Sequence, residues 1–272
     1  MEKIIGPKEK LSLGLNELWQ YRELFFFFTW RDIKVKYKQA TLGFAWAILQ
    51  PLFMMVIFTL FFGKALKVPS DEIPYPIFVY SGLLLWNVFS SGLSSAANSM
   101  VTNANIIKKI YFPRLIIPIS SILVSLFDFL MALIVFIGML IWFQTPIQPL
   151  KLFLFMPLGL IIATFTSFGV GTLLAALNIK YRDFQYVIPF MIQVLLFMTP
   201  VIYPVSILPA LWMKYVMAIN PMYGAIELFR SGIIDKAIDV KLLTVSICSA
   251  SFFFIIGIYY FRKTEAYFAD LA

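Results

Sequence analysis

The strongest constraint in this sequence is a series of long apolar stretches with almost no charge. Six of them span about 20 residues or more, and Asp128 is the only charged side chain within them. They lie at about 42–63, 77–97, 116–143, 152–178, 184–203 and 242–261. A helix of about 20 residues matches the roughly 30 Å hydrocarbon core of a bilayer. The sequence therefore predicts an all-α polytopic membrane protein with six transmembrane helices.

Composition agrees with this interpretation. Hydrophobic residues make up 61% of the chain and charged residues 13%, which is about half the charged share of soluble domains. Too few polar side chains remain to cover a water-soluble domain of this size. We expect two regions, a cytoplasmic tail with an interface helix over residues 1–41 and a six-span membrane domain over residues 42–272.

The segment before the first span has an amphipathic pattern. Apolar residues recur at helical spacing and polar residues share the other side. The apolar set is Leu15, Leu18, Trp19, Phe25 and Phe26, and the polar set is Asn16, Glu17, Gln20 and Glu23. Trp30 and a basic cluster follow, namely Arg31, Lys34, Lys36 and Lys38. This order is typical of a helix that lies in the membrane–water interface.

The segment between the last two spans is interrupted by Pro204, Pro209 and Pro221. Proline breaks a helix, so we expect two short pieces at about 208–219 and 221–232 rather than a seventh span. By themselves they fit an interfacial hairpin anchored by its aromatic side chains.

The basic residues are distributed unequally between the two predicted sides. Fifteen of the 22 Lys and Arg side chains lie on the side of the two termini, and seven lie on the opposite side. Lysine and arginine are retained on the cytoplasmic face, so both termini are predicted to be cytoplasmic. The net charge of +8 is then a topology signal, and nucleic acid is not expected as a partner.

Several chemistries lack the residues they need. The chain has no histidine and one cysteine, Cys248, so an internal disulfide or a Cys/His metal site is not expected. No G-x-x-x-x-G-K-[ST] sequence is present, and the chain is not expected to bind ATP in that way. We therefore expect a non-enzymatic protein without its own metal or cofactor.

Polar residues inside the spans indicate either a pathway or helix packing. In the second span they lie on one helical face, namely Asn87, Ser91, Ser94 and Asn98, and in the third span they are Ser121, Ser125 and Asp128. An ionised aspartate at mid-bilayer costs about 3 kcal/mol, so Asp128 should face protein or water. Whether it meets a substrate or an intramolecular partner stays open. Small residues recur every fourth position in the fourth span, at Gly159, Ala163, Ser167, Gly171 and Ala175, which favours close helix packing.

Four motifs occur in one order along the chain. The first runs through Arg31-Asp32-Ile33-Lys34, Tyr37, Leu42-Gly43, Trp46 and Gln50-Pro51. The second is Asn105–Arg114, the third is Asn178 with Tyr181-Arg182-Asp183, and the fourth is Asn220-Pro221-Met222 with Glu227 and Arg230. From about Leu18 to its end the chain resembles ABC-transporter permeases that export polysaccharides, the Wzm-like O-antigen and TagG-like teichoic-acid exporters.

The resemblance implies a role for three groups of residues. An ATPase-coupling segment would comprise Asn105, Ile106, Ile107, Lys108, Lys109, Ile110, Phe112, Pro113 and Arg114. The interface helix and start of the first span would contribute Trp30, Arg31, Asp32, Lys34, Tyr37 and Trp46. A re-entrant gate hairpin would contain Trp212, Tyr215, Asn220, Pro221, Tyr223, Glu227 and Arg230. For the coupling segment, the alternative is a loop that is basic only because it is cytoplasmic, but its apolar side chains, expected to be exposed, call for a partner surface.

The resemblance also implies the assembly and the substrate. We expect a second copy of the chain and two copies of an ATPase subunit, which would bind the ATP and Mg. The substrate would be a lipid-linked O-antigen-like polysaccharide, or otherwise teichoic acid or capsule, moved along Asn87, Ser91, Ser94, Ser125 and Asp128. The protein would lie in the bacterial plasma (inner) membrane.

Two other classes remain as alternatives. A membrane-embedded glycosyl- or acyltransferase would need a histidine or paired carboxylates for acid–base catalysis, and Asp128 is the only acid well inside a span. A secondary transporter would show inverted repeats and several intramembrane charges. A stoichiometric ATPase partner would distinguish the exporter from both.

Overall fold

The computed structural model describes residues 15–38, 43–71, 73–234 and 237–268, and every regular element in these ranges is helical. The α-helices are α1 (Leu15–Gln20), α2 (Arg22–Lys38), α3 (Ala45–Phe58), α4 (Tyr75–Thr102), α5 (Ala104–Lys109), α6 (Ile116–Trp142), α7 (Pro149–Lys180), α8 (Phe184–Met198), α9 (Leu211–Ala218), α10 (Pro221–Ile234) and α11 (Val240–Thr264). A π-helical segment, Thr59–Ala65, continues α3. Two short 3₁₀ turns are Val205–Ile207 and Glu265–Tyr267.

Five helices in this part of the chain are long and apolar enough to cross a membrane. They are α3 with its π-helical continuation, α4, α6, α7 and α11. The bounds of these five helices lie within three residues of the predicted spans where both are described, except that α4 continues five residues beyond the predicted end at residue 97. The predicted start at Leu42 lies outside the described residues. α8 is apolar but has only 15 residues, or about 22 Å.

Local sequence explains where several helices begin and end. The Asp239 carboxylate accepts hydrogen bonds from the backbone N–H groups of Lys241 and Leu242, at 3.0 and 3.3 Å, which caps the start of α11. α7 begins with a proline at its first position, where the missing N–H costs nothing. α8 ends before Pro200 rather than at the predicted residue 203, because the residue before a proline avoids the α conformation.

The centre of the bundle is α4, which packs against α6, α7 and α10. Tyr80 is fully buried and stacks on Phe136 of α6, which in turn contacts Phe229 of α10. Lipid is as apolar as a buried leucine, so close van der Waals contact rather than exclusion of water favours this arrangement.

Small residues bring the helices of the bundle close together. The predicted small-residue face of α7 is confirmed as a packing surface. A Cβ on Gly171 would meet Ala96 of α4, and one on Gly159 would meet the backbone of Ala225 in α10.

The closest approach between helices is at Gly169 of α7 and Gly257 of α11. A Cβ on either glycine would overlap the backbone of the other helix. The two helices therefore touch backbone to backbone.

α9 and α10 form a hairpin whose connection lies beside α11 rather than at its end. The Ser246 and Ser249 hydroxyls of α11 donate to the carbonyl oxygens of Ala218 and Ile219 at the end of α9. Ser249 lies nine residues after the start of α11, or about 14 Å along the helix. α10 then returns, and Gly232 near its end packs on Leu152 in the first turn of α7.

The N-terminal helix pair differs from the one-sided amphipathic helix predicted for this region. A turn at Tyr21 separates α1 from α2. In α2, Phe28 and Ile33 are buried, whereas Phe26 and Phe27 are exposed. Four consecutive phenylalanines, Phe25–Phe28, place aromatic rings on several sides of the helix. Helical spacing in the sequence indicates only one apolar face and therefore misses the others.

We predict that Gly257→Ala lowers the stability of the detergent-solubilised protein by about 1–3 kcal/mol, because the added methyl group would force α7 and α11 apart. Gly138→Ala is the matched control, since a Cβ there meets nothing within 4 Å. Thermal unfolding of both variants measures the difference. Equal melting temperatures for the two variants would contradict the close crossing.

Candidate functional site

An open cleft of about 520 Å³ lies between α3, α4, α6 and α8, with the end of α2 at its rim. Its lining combines hydroxyl, amide, aromatic and charged side chains. The polar and aromatic members are Lys36, Tyr37, Trp46, Gln50, Asn87, Ser90, Ser91, Ser94, Ser125, Asp128, Phe129 and Gln193. The cleft is therefore a polar surface enclosed by predominantly apolar helices.

All five residues predicted for a translocation path line this cleft. Asn87, Ser91 and Ser94 share one face of α4 because they lie four and three residues apart. Ser125 and Asp128 lie three residues apart on α6. Helical periodicity is sufficient to bring each set to one surface, and the packing of α4 on α6 joins the two sets.

Asp128 has two partners at the end of α2. Lys36 forms an ion pair with one carboxylate oxygen, and the Tyr37 hydroxyl donates a hydrogen bond to the other. Burial first, then the hydrogen bond to Asp128 and the negative charge there, raise the pKa of Tyr37 above its usual value. Tyr37 therefore remains a hydrogen-bond donor at physiological pH.

The exposed fractions of this pair are unequal. The Asp128 side chain is 17% exposed and the Lys36 side chain 45%. Losing Lys36 would therefore leave a partly desolvated carboxylate, whereas losing Asp128 would leave a lysine that reaches water. From the sequence alone, Asp128 could meet either a substrate or an intramolecular partner. It has intramolecular partners and also lines the cleft.

Three serine or amide side chains of the cleft were not selected as pathway residues from the sequence. Gln50 lies on α3, Ser90 on α4 and Gln193 on α8. Gln193 is an amide in the otherwise apolar second half of α8, and that isolation is the signal in the sequence. Ser90 is three residues from Asn87, so the same helical spacing could have included it.

The residues predicted around the interface helix separate into three environments. Tyr37 and Trp46 line the cleft. Arg31 pairs with Asp32 at 2.7 Å and donates to the side-chain oxygen of Asn103 at 2.8 Å. Trp30 and Lys34 lie on the exposed side of α2, with the Lys34 ammonium 5.2 Å from the Trp30 ring centroid.

The predicted coupling segment, residues 105–114, consists of α5 and the extended chain after it. Five of its residues are exposed, namely Asn105, Lys108, Lys109, Ile110 and Tyr111. Ile107 and Phe112 are each only 4% exposed, and Pro113 is also buried. The expectation that Ile107 and Phe112 are surface side chains is therefore wrong. They anchor the segment, and Ile110 and Tyr111 are its outward apolar surface.

The anchors of this segment come from distant parts of the chain. Phe112 packs against Phe28 of α2, with ring centroids 5.7 Å apart. The Arg114 backbone N–H donates to a carboxylate oxygen of Glu265 at 3.2 Å, and its guanidinium donates to the Glu265 carbonyl oxygen. Phe268 is fully buried in the same cluster. Neither Glu265 nor Phe268 carries a local pattern that predicts this contact.

The α9–α10 connection is fixed by hydrogen bonds. The Asn220 amide donates to the Thr199 hydroxyl at 2.8 Å, and its oxygen accepts from the Met222 backbone N–H at 3.1 Å. Pro221 and Tyr223 are buried, whereas Trp212 is exposed. Tyr215 is partly buried.

Arg230 of α10 is a buried cation with a full set of acceptors. It donates to the carbonyl oxygens of Phe78, Pro200 and Val201 and lies 3.4 Å from the Ser81 hydroxyl. Its guanidinium also lies 3.6 Å from the centroid of the Phe78 ring, and Glu227 is 3.9 Å away. These contacts join α10 to α4 and to the chain after α8.

Metal-binding side chains are not clustered in residues 15–38, 43–71, 73–234 and 237–268, where no group of three or more His, Cys, Asp or Glu side chains is close enough to hold an ion. The candidate site is therefore a polar cleft with two separate structural regions, the coupling segment and the hairpin.

Comparison with known proteins gives a consistent set of relatives. The profile of the family described as "ABC-2 type transporter" matches residues 23–234. An O-antigen export system permease protein RfbA of Klebsiella pneumoniae is 26% identical over 96% of this chain and 98% of its own length. The RfbA of Myxococcus xanthus is 29% identical over 80% and 82%. The polysialic acid transport protein KpsM of Escherichia coli is 24% identical over 86% and 91%.

We predict that Lys36→Met lowers stability by about 1 kcal/mol, because Asp128 then loses its cation in a partly desolvated position. Adding Asp128→Asn should recover most of the loss, since a neutral amide needs no counter-ion. Lys38→Met, at the exposed end of α2, is the control for removing a lysine. Melting temperatures of the single and double variants form a double-mutant cycle. Additive effects would show that the pair does not couple.

Proposed function

The chain belongs to the ABC-2 type transporter family, and from that premise we propose that it is the membrane-spanning permease of an ATP-driven exporter of a lipid-linked, O-antigen-like polysaccharide. The relatives named as O-antigen export permeases, which match over nearly the whole chain, support this substrate class. A capsular polysaccharide is the second candidate, because KpsM and the meningococcal capsule export protein CtrC also match.

The observation that carries the proposal is the lining of the cleft. Sugar rings present hydroxyl groups at their edges and apolar C–H faces. Hydroxyl and amide side chains can both donate and accept hydrogen bonds, and an exposed aromatic ring such as that of Trp46 packs on apolar faces. The cleft combines both kinds of side chain. Asn87, Ser91, Ser94, Ser125 and Asp128 are therefore assigned to the path of the glycan.

The same cleft also suits a substrate attached to a lipid. Its two outer walls, α3 with its π-helical continuation and α8, carry large exposed apolar side chains such as Phe53, Phe61 and Phe190. A lipid chain could lie against these outer surfaces while the attached sugar occupies the polar lining. A substrate with both parts therefore fits this boundary better than a wholly polar or wholly apolar one.

A second copy of the chain would complete the channel. The cleft is open rather than enclosed, and α8 has one buried residue, Ile188. The exposed apolar sides of α3 and α8 would be covered by lipid or by the second copy. We assign the translocation path to the space between two copies.

α8 is assigned as the fifth of six spans. α8 begins shortly after α7 ends at Lys180. The chain that follows α8 is joined to the first turn of α4, because Arg230 donates to the carbonyl oxygens of both Val201 and Phe78. About 22 Å of helix thus joins the two ends of the bundle. With six spans both termini lie on one side, and the excess of lysine and arginine assigns that side to the cytoplasm of a multi-pass inner-membrane protein.

The α9–α10 hairpin is assigned as a re-entrant gate on the extracytoplasmic side. Its connection lies about 14 Å inside the start of α11, and its non-helical backbone lies against protein at Asn220, whose side chain hydrogen-bonds to Thr199 and Met222. Irregular backbone is tolerated at membrane depth in that setting. Trp212, Tyr215, Tyr223, Glu227 and Arg230 belong to this gate.

ATP hydrolysis is assigned to a separate subunit that binds the ATP and Mg. Two copies of that subunit would bind the two coupling segments of a permease dimer. The exposed Ile110 and Tyr111 provide apolar area, and Lys108 and Lys109 provide positive charge around it. This surface fits a partner with an apolar cleft and an acidic rim.

The assignment is tested by purifying the tagged chain from its native membrane with gentle detergent. We expect an ATPase subunit in equal amount, together with ATP hydrolysis that vanadate inhibits and that a lipid-linked glycan stimulates. Isolation of the chain without any ATPase would overturn the exporter assignment and favour a secondary transporter or a membrane-embedded transferase. Stimulation by capsular rather than O-antigen glycan would select the second candidate.

The orientation predicts different labelling of two cysteines placed in a Cys248→Ser background. Lys108→Cys in the coupling segment should not react with an impermeant thiol reagent in intact cells, whereas Lys67→Cys should react, because Lys67 is exposed between α3 and α4. Lys236, on the same predicted side as Lys67, lies outside the described residues. Labelling of the Lys108→Cys variant from outside would reverse the orientation.

The docking surface predicts which coupling residues matter for ATPase binding. Ile110→Ala with Tyr111→Ala should weaken ATPase retention about tenfold or more, since each buried apolar side chain contributes about 1.5–3 kcal/mol. Lys108→Ala should have a smaller effect that is strongest at low salt. The measurement is ATPase binding to the immobilised permease.

A matched variant separates docking from folding. Ile107→Ala should lower the melting temperature of the permease itself, because it removes a buried side chain at a cost of about 2–5 kcal/mol. Full ATPase binding by the Ile110/Tyr111 variant would contradict the docking surface.

A further inference from the structure

The last long helix is attached to the coupling segment at one end. Glu265, just after α11, accepts from the Arg114 backbone N–H at 3.2 Å through one carboxylate oxygen and from Arg262 at 2.8 Å through the other. Its carbonyl oxygen accepts from the Arg114 guanidinium. Glu265 thus holds Arg262 through its carboxylate and Arg114 through both its carboxylate and its carbonyl oxygen, and its side chain is only 14% exposed.

An apolar contact reinforces the same attachment. Phe268 is fully buried, with its ring edge-to-face on Phe261 of α11 at 5.0 Å. The Arg114 guanidinium lies 5.9 Å from the Phe268 ring centroid. A displacement of Arg114 would therefore be transmitted to the end of α11 rather than absorbed by a loose tail.

The other half of α11 is attached to the hairpin. The Ser246 and Ser249 hydroxyls donate to the carbonyl oxygens of Ala218 and Ile219. Gly224 of α10 lies against Ser246 so closely that a Cβ there would overlap it. α11 therefore contacts both helices of the hairpin at one level.

Between these two attachments α11 touches α7 backbone to backbone at Gly257 and Gly169. Gly257 lies eight residues before Glu265 and 11 residues after Ser246, or about 12 Å and about 16 Å along a helix. Glycine weakens a helix interior by up to about 1 kcal/mol, and here it permits the close contact. A closely packed point between two attached ends is the geometry of a lever with a pivot.

We infer that α11 is a lever that connects the coupling segment to the extracytoplasmic hairpin, with the Gly169–Gly257 contact as its pivot and Glu265 as the positioning residue at its cytoplasmic end. This inference rests on the proposed function, because the coupling segment moves only if an ATPase binds it. A movement of Arg114 tilts α11 about the pivot, and the far end displaces the connection at Ile219 in the opposite direction.

The test places a spin label at Ile219→Cys in a Cys248→Ser background, with the permease–ATPase complex in nanodiscs. Ile219 is 58% exposed, and its contact with Ser249 is through the backbone. The spectrum should differ between the nucleotide-free and the ADP–vanadate-trapped complex. Glu265→Gln should reduce that difference at least threefold while ATPase retention stays within twofold, and Glu265→Asp should restore part of it.

Lys263→Gln is the matched control, because it removes a charge from an exposed position on the same turn. It should leave the nucleotide-dependent difference unchanged. Ser249→Ala removes one of the two hydroxyl contacts at the opposite end of the lever without touching the Glu265 contacts, and it should also reduce the difference. This second variant decides the matter if Glu265→Gln does not fold.

Three outcomes are distinguishable. An undiminished spectral change in both Glu265→Gln and Ser249→Ala would overturn the lever while leaving the exporter assignment in place. A background complex with bound ATPase but no nucleotide-dependent change at Ile219 would also overturn the lever alone. A background chain that retains no ATPase would overturn the proposed function, and the lever with it.

Discussion

Lipid offers no hydrogen-bond partners, and this constraint determines how the polar side chains of the long helices are arranged. Most hydroxyl groups donate to a carbonyl oxygen one turn earlier on their own helix, as Ser125 does to Ile122 and Thr166 to Ile162, both at 2.7 Å. Other polar side chains connect helices, as Asn178 of α7 does by donating to Ala97 and Asn98 of α4, at 3.1 and 3.0 Å. Because these needs are met locally, the remaining polar groups of α4 and α6 can line an open cleft.

The same constraint explains why two charged side chains, Arg230 and Asp128, have different environments. α8 ends before Pro200, so the Pro200 and Val201 carbonyl oxygens lack donors from a continuing helix. Arg230 supplies those donors from α10 and is only 2% exposed. Asp128 instead keeps contact with an open cleft and with an exposed lysine. Arg230 is built into the structure, whereas Asp128 has a carboxylate that can exchange partners.

The sequence predicts helix positions well where a single property controls them. Length, apolarity and the absence of charge located the five long helices, and periodicity placed the five cleft residues on common faces. Burial that depends on distant neighbours could not be predicted in this way. Ile107 and Phe112 look exposed on a short basic loop, but Phe28 and Phe268 cover that side of the segment. The aromatic run of α2 likewise has rings on more than one side of the helix. One side packs on α6, and helical spacing alone does not predict that contact.

Packing quality also differs between the two sides of the cleft, and this difference bears on how a bulky substrate could pass. α4, α7 and α10 meet through glycines whose replacement would overlap neighbouring atoms, so a relative shift of these three helices would break many contacts at once. α3 and α8 have few buried residues, namely Pro51 and Phe58 in α3 and Ile188 in α8. Moving these two helices would sacrifice little internal packing. Widening of the cleft should therefore occur by displacement of α3 and α8, while α4, α7 and α10 stay together as one body.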